Sequence, residues 1–373
     1  MQCSPLSLVK QRICVGAPLP FNIRDHDQTL LLAKGQMVET TAQLEALFDR
    51  GALVDVAELL SASDRVRLAR PEDLPGLWTT CLERINTTLQ APQHSGFRDA
   101  LDASSAPVLA LVARDPDLAI FQVLRQQGNQ HLQYGVNHST HAAITAWLVA
   151  RRLGWAADEA QTAFKAALTM NLSMLELQGV LAQQKTPPTP AQRALIMAHP
   201  GHSQHLLEQA GVANRDWLTA VAQHHEAHDG SGYPLGLREP SDIAALVRRA
   251  DIYTAKLSPR AHRDAVAADK AGRMMFMQEP GHPMVAALVK EFGVYPPGCF
   301  VKLQSGETGL VVKRGATVMT PIVAVLSTPY GTPLRTPERR DTSQKAYAVH
   351  AVLAGNADVV RLPPQQLLAV LAA

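Results

Sequence analysis

Two adjacent histidines and a glycine-rich turn share one short stretch, residues 224–234, which reads His-His-Glu-Ala-His-Asp-Gly-Ser-Gly-Tyr-Pro. Imidazole nitrogens are common ligands of divalent transition metals. If both histidines lie on a helix, they project about 100° apart, so one metal reaches both only from a groove between helices. Gly230 and Gly232 permit another chain or a ligand to approach closely, and Pro234 prevents simple continuation of a helix. The stretch therefore predicts metal-dependent phosphate chemistry beside a tight turn.

The same stretch resembles the signature of HD-GYP domains, bacterial proteins of cyclic di-GMP signalling, whose pattern is HHE, two variable residues and then DG-x-GYP. Every fixed position of this pattern is present. Further segments occur in the family's order: Asn137-His138-Ser139, Ala198-His199-Pro200, residues 249–253 and residues 258–263. The resemblance covers roughly residues 128 to 295, which is about the size of one domain. It implies a mainly α fold with an all-helical HD-GYP core.

The resemblance also implies ligands for metal ions. By matched position, one metal would be held by His199, His224 and His225, whereas a second would retain only His138 and Asp251. Three imidazoles and a water resemble the open geometry of catalytic zinc sites, in which the bound water has a pKa of about 7. We therefore expect one divalent transition metal, Fe, Mn or Zn, and no dinuclear site.

The segment that gives the family its first two letters is altered. Where members read close to L-L-H-D-x-G-K, this sequence has Met170 for the histidine, Asn171 for the metal-bridging aspartate and Met174 for the lysine that steadies substrate phosphate. An amide oxygen and a thioether are poor ligands for hard cations, and methionine carries no charge. A lesser departure is Tyr134, where some members carry a further metal-binding glutamate. Because a second metal and a lysine each contribute several kcal/mol of transition-state stabilisation, we expect low or absent turnover.

Residues that the resemblance assigns to the dinucleotide are better preserved. Tyr233, Arg260 and Arg263 fall where members contact the ligand, although the segment of the two arginines has lost the family's Pro and Tyr. A tyrosine offers a stacking face, and arginines pair with phosphates. The competing interpretations are that Tyr233 is only a core aromatic and that the arginines only form a solvated surface. The chain can thus bind the ligand even where catalysis has been lost.

Two functions remain open at this stage. The first is a degenerate HD-GYP module that binds cyclic di-GMP or a protein partner, such as a diguanylate cyclase (GGDEF) domain. The second is an active metal-dependent cyclic di-GMP phosphodiesterase that uses a mononuclear three-histidine site. A third interpretation, a structural interaction protein similar to the HDOD group without a metal, is disfavoured by the five candidate ligands.

The composition is that of an ordinary soluble protein, with 46% hydrophobic and 18% charged residues and a net charge of +2 over 373 residues. Neither a nucleic-acid polymer nor membrane insertion is expected, since long basic runs and apolar stretches of about 18 residues are lacking. The start of the sequence does not resemble a secretion signal, so a cytoplasmic location is expected. The four cysteines form no C-x-x-C pair, which favours reduced thiols.

The periodicity of the sequence predicts four regions. They are a small accessory domain with short strands at 1–60, a helical connector at 61–127, the helical HD-GYP-like domain at 128–295 and a small β-rich unit at 296–373. Within the core, Thr189, Pro190 and Gln192 predict a capping-box start for the helix that carries His199. Ser241 is expected to begin the helix that holds Asp251. Three strands are predicted at 300–303, 309–312 and 322–326.

Overall fold

The computed structural model describes residues 3–125 and 131–353. The chain divides into two compact units, Met1–Ala69 and Arg70–Ala373. The predicted boundary between residues 127 and 128 and the last part of the predicted β-rich unit lie outside the described residues. The division into four regions stays a prediction.

The first unit is a small antiparallel sheet with short helices. Its strands, in the order β1-β4-β2-β3, are β1 (Cys3–Pro5), β2 (Ile23–Arg24), β3 (Leu30–Leu32) and β4 (Leu53–Asp55). Its helices are a 3-10 helix (Leu6–Arg12), α1 (Thr41–Asp49), α2 (Val56–Leu59) and α3 (Ala62–Leu68). Phe21, Ile23 and Val54 are buried in its core. Since α3 lies beyond residue 60, this compact unit extends past the predicted 1–60 range.

The second unit is dominated by helices, which confirms the predicted mainly α fold class. The helices are α4 (Leu74–Leu89), α5 (Phe97–Arg114), α6 (Pro116–Leu124), α7 (His131–Arg152), α8 (Ala157–Thr169), α9 (Leu175–Gln183), α10 (Pro190–Gln209), α11 (Arg215–Gln223), α12 (Asp242–Leu257), α13 (Ala268–Gln278) and α14 (Pro283–Phe292). Short 3-10 helices span Pro71–Asp73, Leu172–Met174 and Lys345–Tyr347. Within the described residues, none of the helices is long and apolar enough to cross a membrane.

Helix α7 lies at the centre of this unit and packs against α8, α9 and α12. These helices carry many small side chains that are fully buried: Ala142, Ala143 and Ala146 of α7, Ala160, Ala163, Ala166 and Ala167 of α8, and Ala244 and Ala250 of α12. The distance between packed helices depends on the side chains at their contact. These alanines therefore let the helices approach closely, and this brings the polar residues that they carry into one site.

Side-chain caps define where the site-bearing helices begin. The Thr189 hydroxyl accepts a hydrogen bond from the Gln192 N–H at 3.2 Å, and the Gln192 side chain accepts one from the Thr189 N–H at 2.8 Å. This confirms the predicted capping box of α10. Ser241 caps α12 by accepting from Ala244 N–H, also as predicted. Because a fixed helix start sets which face each later residue occupies, these caps position His199 and Asp251.

A five-stranded antiparallel sheet follows the helices, in the order β8-β7-β6-β5-β9. The strands are β5 (Phe300–Leu303), β6 (Thr308–Lys313), β7 (Ile322–Ser327), β8 (Pro333–Asp341) and β9 (Val349–Leu353). The three predicted strands are confirmed. Strand β8 escaped prediction because it is mostly exposed and charged, so that it lacks the alternation of apolar residues that indicates a strand. One face of the sheet packs on Phe121 of α6.

Candidate metal centre and ligand pocket

Three histidines, one from a helix and two from the turn after another helix, converge in the core of the second unit. His199 lies in the third turn of α10, and His224 and His225 directly follow the end of α11. One ligand nitrogen from each ring lies within 4.8 Å of the others. Neither of the two adjacent histidines lies within a helix, because α11 ends at Gln223 and the Glu226 N–H donates to the Gln223 carbonyl at 2.8 Å. Both rings face His199 from this turn.

Backbone carbonyls set the tautomers of two of these rings. Nδ1 of His199 lies 2.6 Å from the Ile196 carbonyl oxygen, and Nδ1 of His224 lies 2.6 Å from the Val221 carbonyl oxygen. Since a carbonyl only accepts, each Nδ1 carries the proton and each Nε2 presents a lone pair. The two Nε2 atoms face each other at 3.1 Å. Two acceptors cannot bond each other, whereas nitrogens that share a tetrahedral metal at about 2.0–2.1 Å lie roughly 3.3 Å apart. The residues present therefore fit a metal.

The three imidazoles are held in their neutral form by their surroundings. Burial lowers the pKa of His199 to about 3, and the neighbouring His224 adds to this effect. Burial also lowers the pKa of His224 and lowers that of His225 well below its ordinary value. A neutral imidazole is the form that binds metals, so the cluster needs no deprotonation near neutral pH.

His138 and Asp251 form a separate pair next to the cluster. Nε2 of His138 on α7 lies 2.6 Å from Oδ1 of Asp251 on α12. Burial by itself raises the pKa of Asp251, but the hydrogen bond and charge of His138, together with the other imidazoles, lower it below its ordinary value. The carboxylate is thus ionised, and one of its oxygens is bonded to a histidine.

A cavity of about 200 Å³ adjoins both groups. It is lined by these candidates from the sequence: His138, Asn171, Met174, His199, His225, Tyr233, Asp251 and Arg260. His224 is fully buried, and so is Met170 at the end of α8. Pockets that enclose a whole drug-sized ligand measure about 300–1,000 Å³. At about 200 Å³ this cavity is smaller than that range, so it encloses part of a ligand of that size and leaves the rest outside.

The two arginines that follow α12 point in different directions. The Arg260 side chain lines the cavity. The Arg263 Nη2 instead donates to the carbonyl of Ala255 at 2.5 Å. That either arginine contacts a phosphate stays a prediction. Of the two, Arg260 lines the cavity and Arg263 does not.

The glycine-rich turn is braced by Glu226, the residue after the histidine pair. The Glu226 carboxylate accepts hydrogen bonds from the N–H groups of Leu235 at 2.7 Å and Leu237 at 2.8 Å. Tyr233 stacks on His225, with ring centroids 4.5 Å apart and planes 20° apart. The turn therefore holds one of the candidate ligands in place. The sequence analysis gave Glu226 no role. An acidic residue just before a glycine-rich turn is a usable signal, because the N–H groups of a turn need acceptors.

Other supporting contacts were not foreseen from the sequence. The Ser173 hydroxyl donates to the His199 carbonyl at 3.1 Å and lies 3.0 Å from the Ser203 hydroxyl. The indole N–H of Trp217 donates to the Thr169 hydroxyl at 2.9 Å, which ties α11 to the end of α8. These bonds orient α10, which carries His199, and α11, which His224 directly follows. Their partners are far apart in sequence, so no local pattern indicates them.

Comparisons with known proteins indicate what this chain is similar to. A family model described as HD domain matches residues 122–278. The chain is 29% identical over 243 residues to the cyclic di-GMP phosphodiesterase PA4108 of Pseudomonas aeruginosa, a match that covers 63% of this chain and 56% of that protein. It is 26% identical over 170 residues to the 3'3'-cGAMP-specific phosphodiesterase 3 of Vibrio cholerae, covering 44% and 36% of the two. The matches thus span about half or less of the curated relatives.

The fold is also found in a solved structure. Bd1817, an HDG"Y"P protein from Bdellovibrio bacteriovorus, superposes with a TM-score of 0.50 at 16% identity, over 78% of this chain and 98% of that one. Over residues 122–278 the helical core thus resembles an HD domain. The chain is thus similar to proteins of the HD-GYP type.

Proposed function

We propose that this chain binds cyclic di-GMP or a related cyclic dinucleotide in the cavity beside a single divalent transition metal. His199, His224 and His225 are the proposed metal ligands. The proposal rests on one observation above all, the two Nε2 lone pairs that face each other at 3.1 Å beside a cavity lined by an arginine. The relatives named above act on cyclic di-GMP and on cGAMP, and their names supply the ligand class.

The residues of the cavity divide the work of binding. Arg260 provides a cation for a phosphate oxygen, and Tyr233 provides an aromatic ring that is already stacked on His225. A divalent metal, when bound, supplies Lewis-acid polarisation of a phosphoryl oxygen. Asn171 and Met174 line the cavity where family resemblance implies a carboxylate and a lysine. Because the lysine is absent and a second metal lacks its carboxylate ligand, less positive charge stabilises the departing oxygen. We therefore expect hydrolysis to be slow or absent.

Calorimetry of the metal-loaded protein tests the ligand. Cyclic di-GMP is expected to bind, and Arg260→Ala is expected to weaken binding by more than about tenfold, or about 1.4 kcal/mol, because a charged phosphate contact is lost. Arg263→Ala is expected to have a smaller effect, since its Nη2 is engaged by the Ala255 carbonyl. The matched control is Arg193→Ala, an exposed arginine of α10 that donates to the Pro188 carbonyl. An unchanged affinity of Arg260→Ala for cyclic di-GMP would show that the ligand binds at another site.

Active hydrolysis is the second candidate function. Three neutral imidazoles leave one coordination position of a tetrahedral metal open, which is the arrangement of catalytic zinc sites. The test is turnover of cyclic di-GMP by protein reconstituted anaerobically with Fe(II) or Mn(II), with the double variant His224→Ala/His225→Ala as the blank. We expect no product above the blank while an active relative works in parallel. Product above the blank would make the chain a phosphodiesterase with a mononuclear site.

A protein partner is proposed only from the family resemblance. Binding of a purified diguanylate cyclase (GGDEF) domain, measured with and without cyclic di-GMP, is the direct test. No surface of the described residues identifies such a partner.

A further inference from the structure

Arg260 holds a special position among the residues that line the cavity. It is the one lysine or arginine among the lining residues of the described chain. Family resemblance implies a lysine at Met174, whose side chain carries no charge. If a phosphate binds in the cavity, the positive charges that neutralise it are therefore Arg260 and the metal. Whatever sets the direction of the Arg260 guanidinium then sets ligand affinity.

A tyrosine from a distant helix makes that contact. Nε of Arg260 donates to the Tyr134 hydroxyl at 3.1 Å, and the guanidinium carbon lies 6.0 Å from the centre of the Tyr134 ring. Among the described residues, the hydrogen bond of the Arg260 guanidinium is the one from its Nε to Tyr134. The Nε contact thus leaves the paired Nη1 and Nη2 edge available, which is the edge that binds a phosphate with two parallel hydrogen bonds.

Both partners of this contact are themselves held in place. The Tyr134 ring lies parallel to His138, one helical turn further along α7, with planes 9° apart and centroids 6.3 Å apart. Arg260 sits in a tight turn in which its N–H donates to the Arg263 carbonyl at 2.8 Å, and the Ala261 N–H donates to the Ala182 carbonyl at 2.7 Å. The turn is therefore tied to α9, and the tyrosine is tied to the imidazole wall of the cavity.

We infer that Tyr134 is a positioning residue that holds the Arg260 guanidinium over the cavity for a ligand phosphate. This role rests on the proposed function, because it assumes that the cavity takes a cyclic dinucleotide. Tyr134 occupies the position at which some family members carry a metal-binding glutamate. The hydroxyl of Tyr134 does not touch reacting atoms in this role; it acts through Arg260.

The role is tested in two measurements on protein loaded with Zn(II), which is diamagnetic. In the first, the Nε–Hε resonance of Arg260 is followed by NMR without ligand, and Tyr134→Phe is expected to shift it. In the second, cyclic di-GMP binding is measured by calorimetry, and Tyr134→Phe is expected to weaken binding about fivefold, as for the loss of one hydrogen bond. In an Arg260→Ala background the same change is expected to alter affinity less than about twofold, since the two residues act as one unit.

A matched control is available in the β-rich part of the chain. The Arg340 guanidinium lies 4.9 Å from the ring centre of Tyr347, so Tyr347→Phe alters a tyrosine beside an arginine that is not part of the cavity. This variant is expected to leave both the Arg260 resonance and the affinity unchanged. An unmoved Arg260 resonance in Tyr134→Phe, or equal losses with and without Arg260, would overturn the positioning role. A wild-type chain that binds neither cyclic di-GMP nor 3'3'-cGAMP would instead overturn the proposed function, and this is seen before any variant is made.

Discussion

Replacing His224 by alanine is expected to remove the bound metal completely. Wild-type protein purified without chelator under anaerobic conditions should contain about one transition metal per chain, and His224→Ala should contain none, because a site with three imidazoles loses most of its affinity with one of them. His224 is fully buried and its Nε2 lies 3.1 Å from that of His199. Elemental analysis by mass spectrometry measures the ratio of metal to protein.

Two further variants make this result interpretable. His224→Ala leaves a cavity in the core and can fail to fold, so His225→Ala, at a half-buried ring, tests the same site with less disturbance. His205→Ala is the matched control, since that histidine is exposed on α10 and contacts Gln209 at 3.0 Å. Metal retained in both cluster variants, or lost equally in the control, contradicts the proposed centre. Two metals per wild-type chain would contradict a mononuclear site.

Gly232→Ala is expected to destabilise the second unit by about 3 kcal/mol, at the upper end of what overpacking typically costs. A methyl group at this position would meet the Ala227 nitrogen at 2.4 Å and the Glu226 Cα and His225 carbonyl oxygen at 2.5 Å. These are backbone atoms, so the clash cannot be relieved by turning a side chain. For a unit of about 300 residues, Arg70–Ala373, the change corresponds to a melting temperature lower by roughly 5 °C. Differential scanning calorimetry measures it.

The control for this substitution is another glycine in the same unit. Gly76 lies in α4 with nothing within 4 Å of an added methyl group. Gly76→Ala is expected to stabilise slightly, by about 0.5–1 kcal/mol, since glycine is unfavourable inside a helix. If Gly232→Ala were as stable as wild type, the turn would not be packed against the histidine segment as described. A loss of metal that accompanies the loss of stability would show that the turn also supports His225.

Much of the local structure was predictable, because local structure depends on neighbouring residues. Thr189, Pro190 and Gln192 stand within one helical turn, so their capping box could be predicted from spacing alone. Ser241 gave the start of α12 in the same way. The helix end at Gln223 was missed, since the hydrogen bond that ends it was not evident from residue types and the adjacent histidines fit a helix equally well.

The site was only partly predictable, because its geometry depends on packing between distant helices. The sequence by itself determined which residues could be ligands, the mainly α core and the presence of a glycine-rich turn beside two histidines. Only the tertiary structure decided that the Nε2 atoms of His199 and His224 face each other, since backbone carbonyls and helix packing orient these rings. It also decided that Arg260 lines the cavity while Arg263 bonds to the Ala255 carbonyl. The contact of Arg260 with Tyr134 joins residues 126 positions apart, and such a pairing arises only when the alanine-rich helices between them have packed.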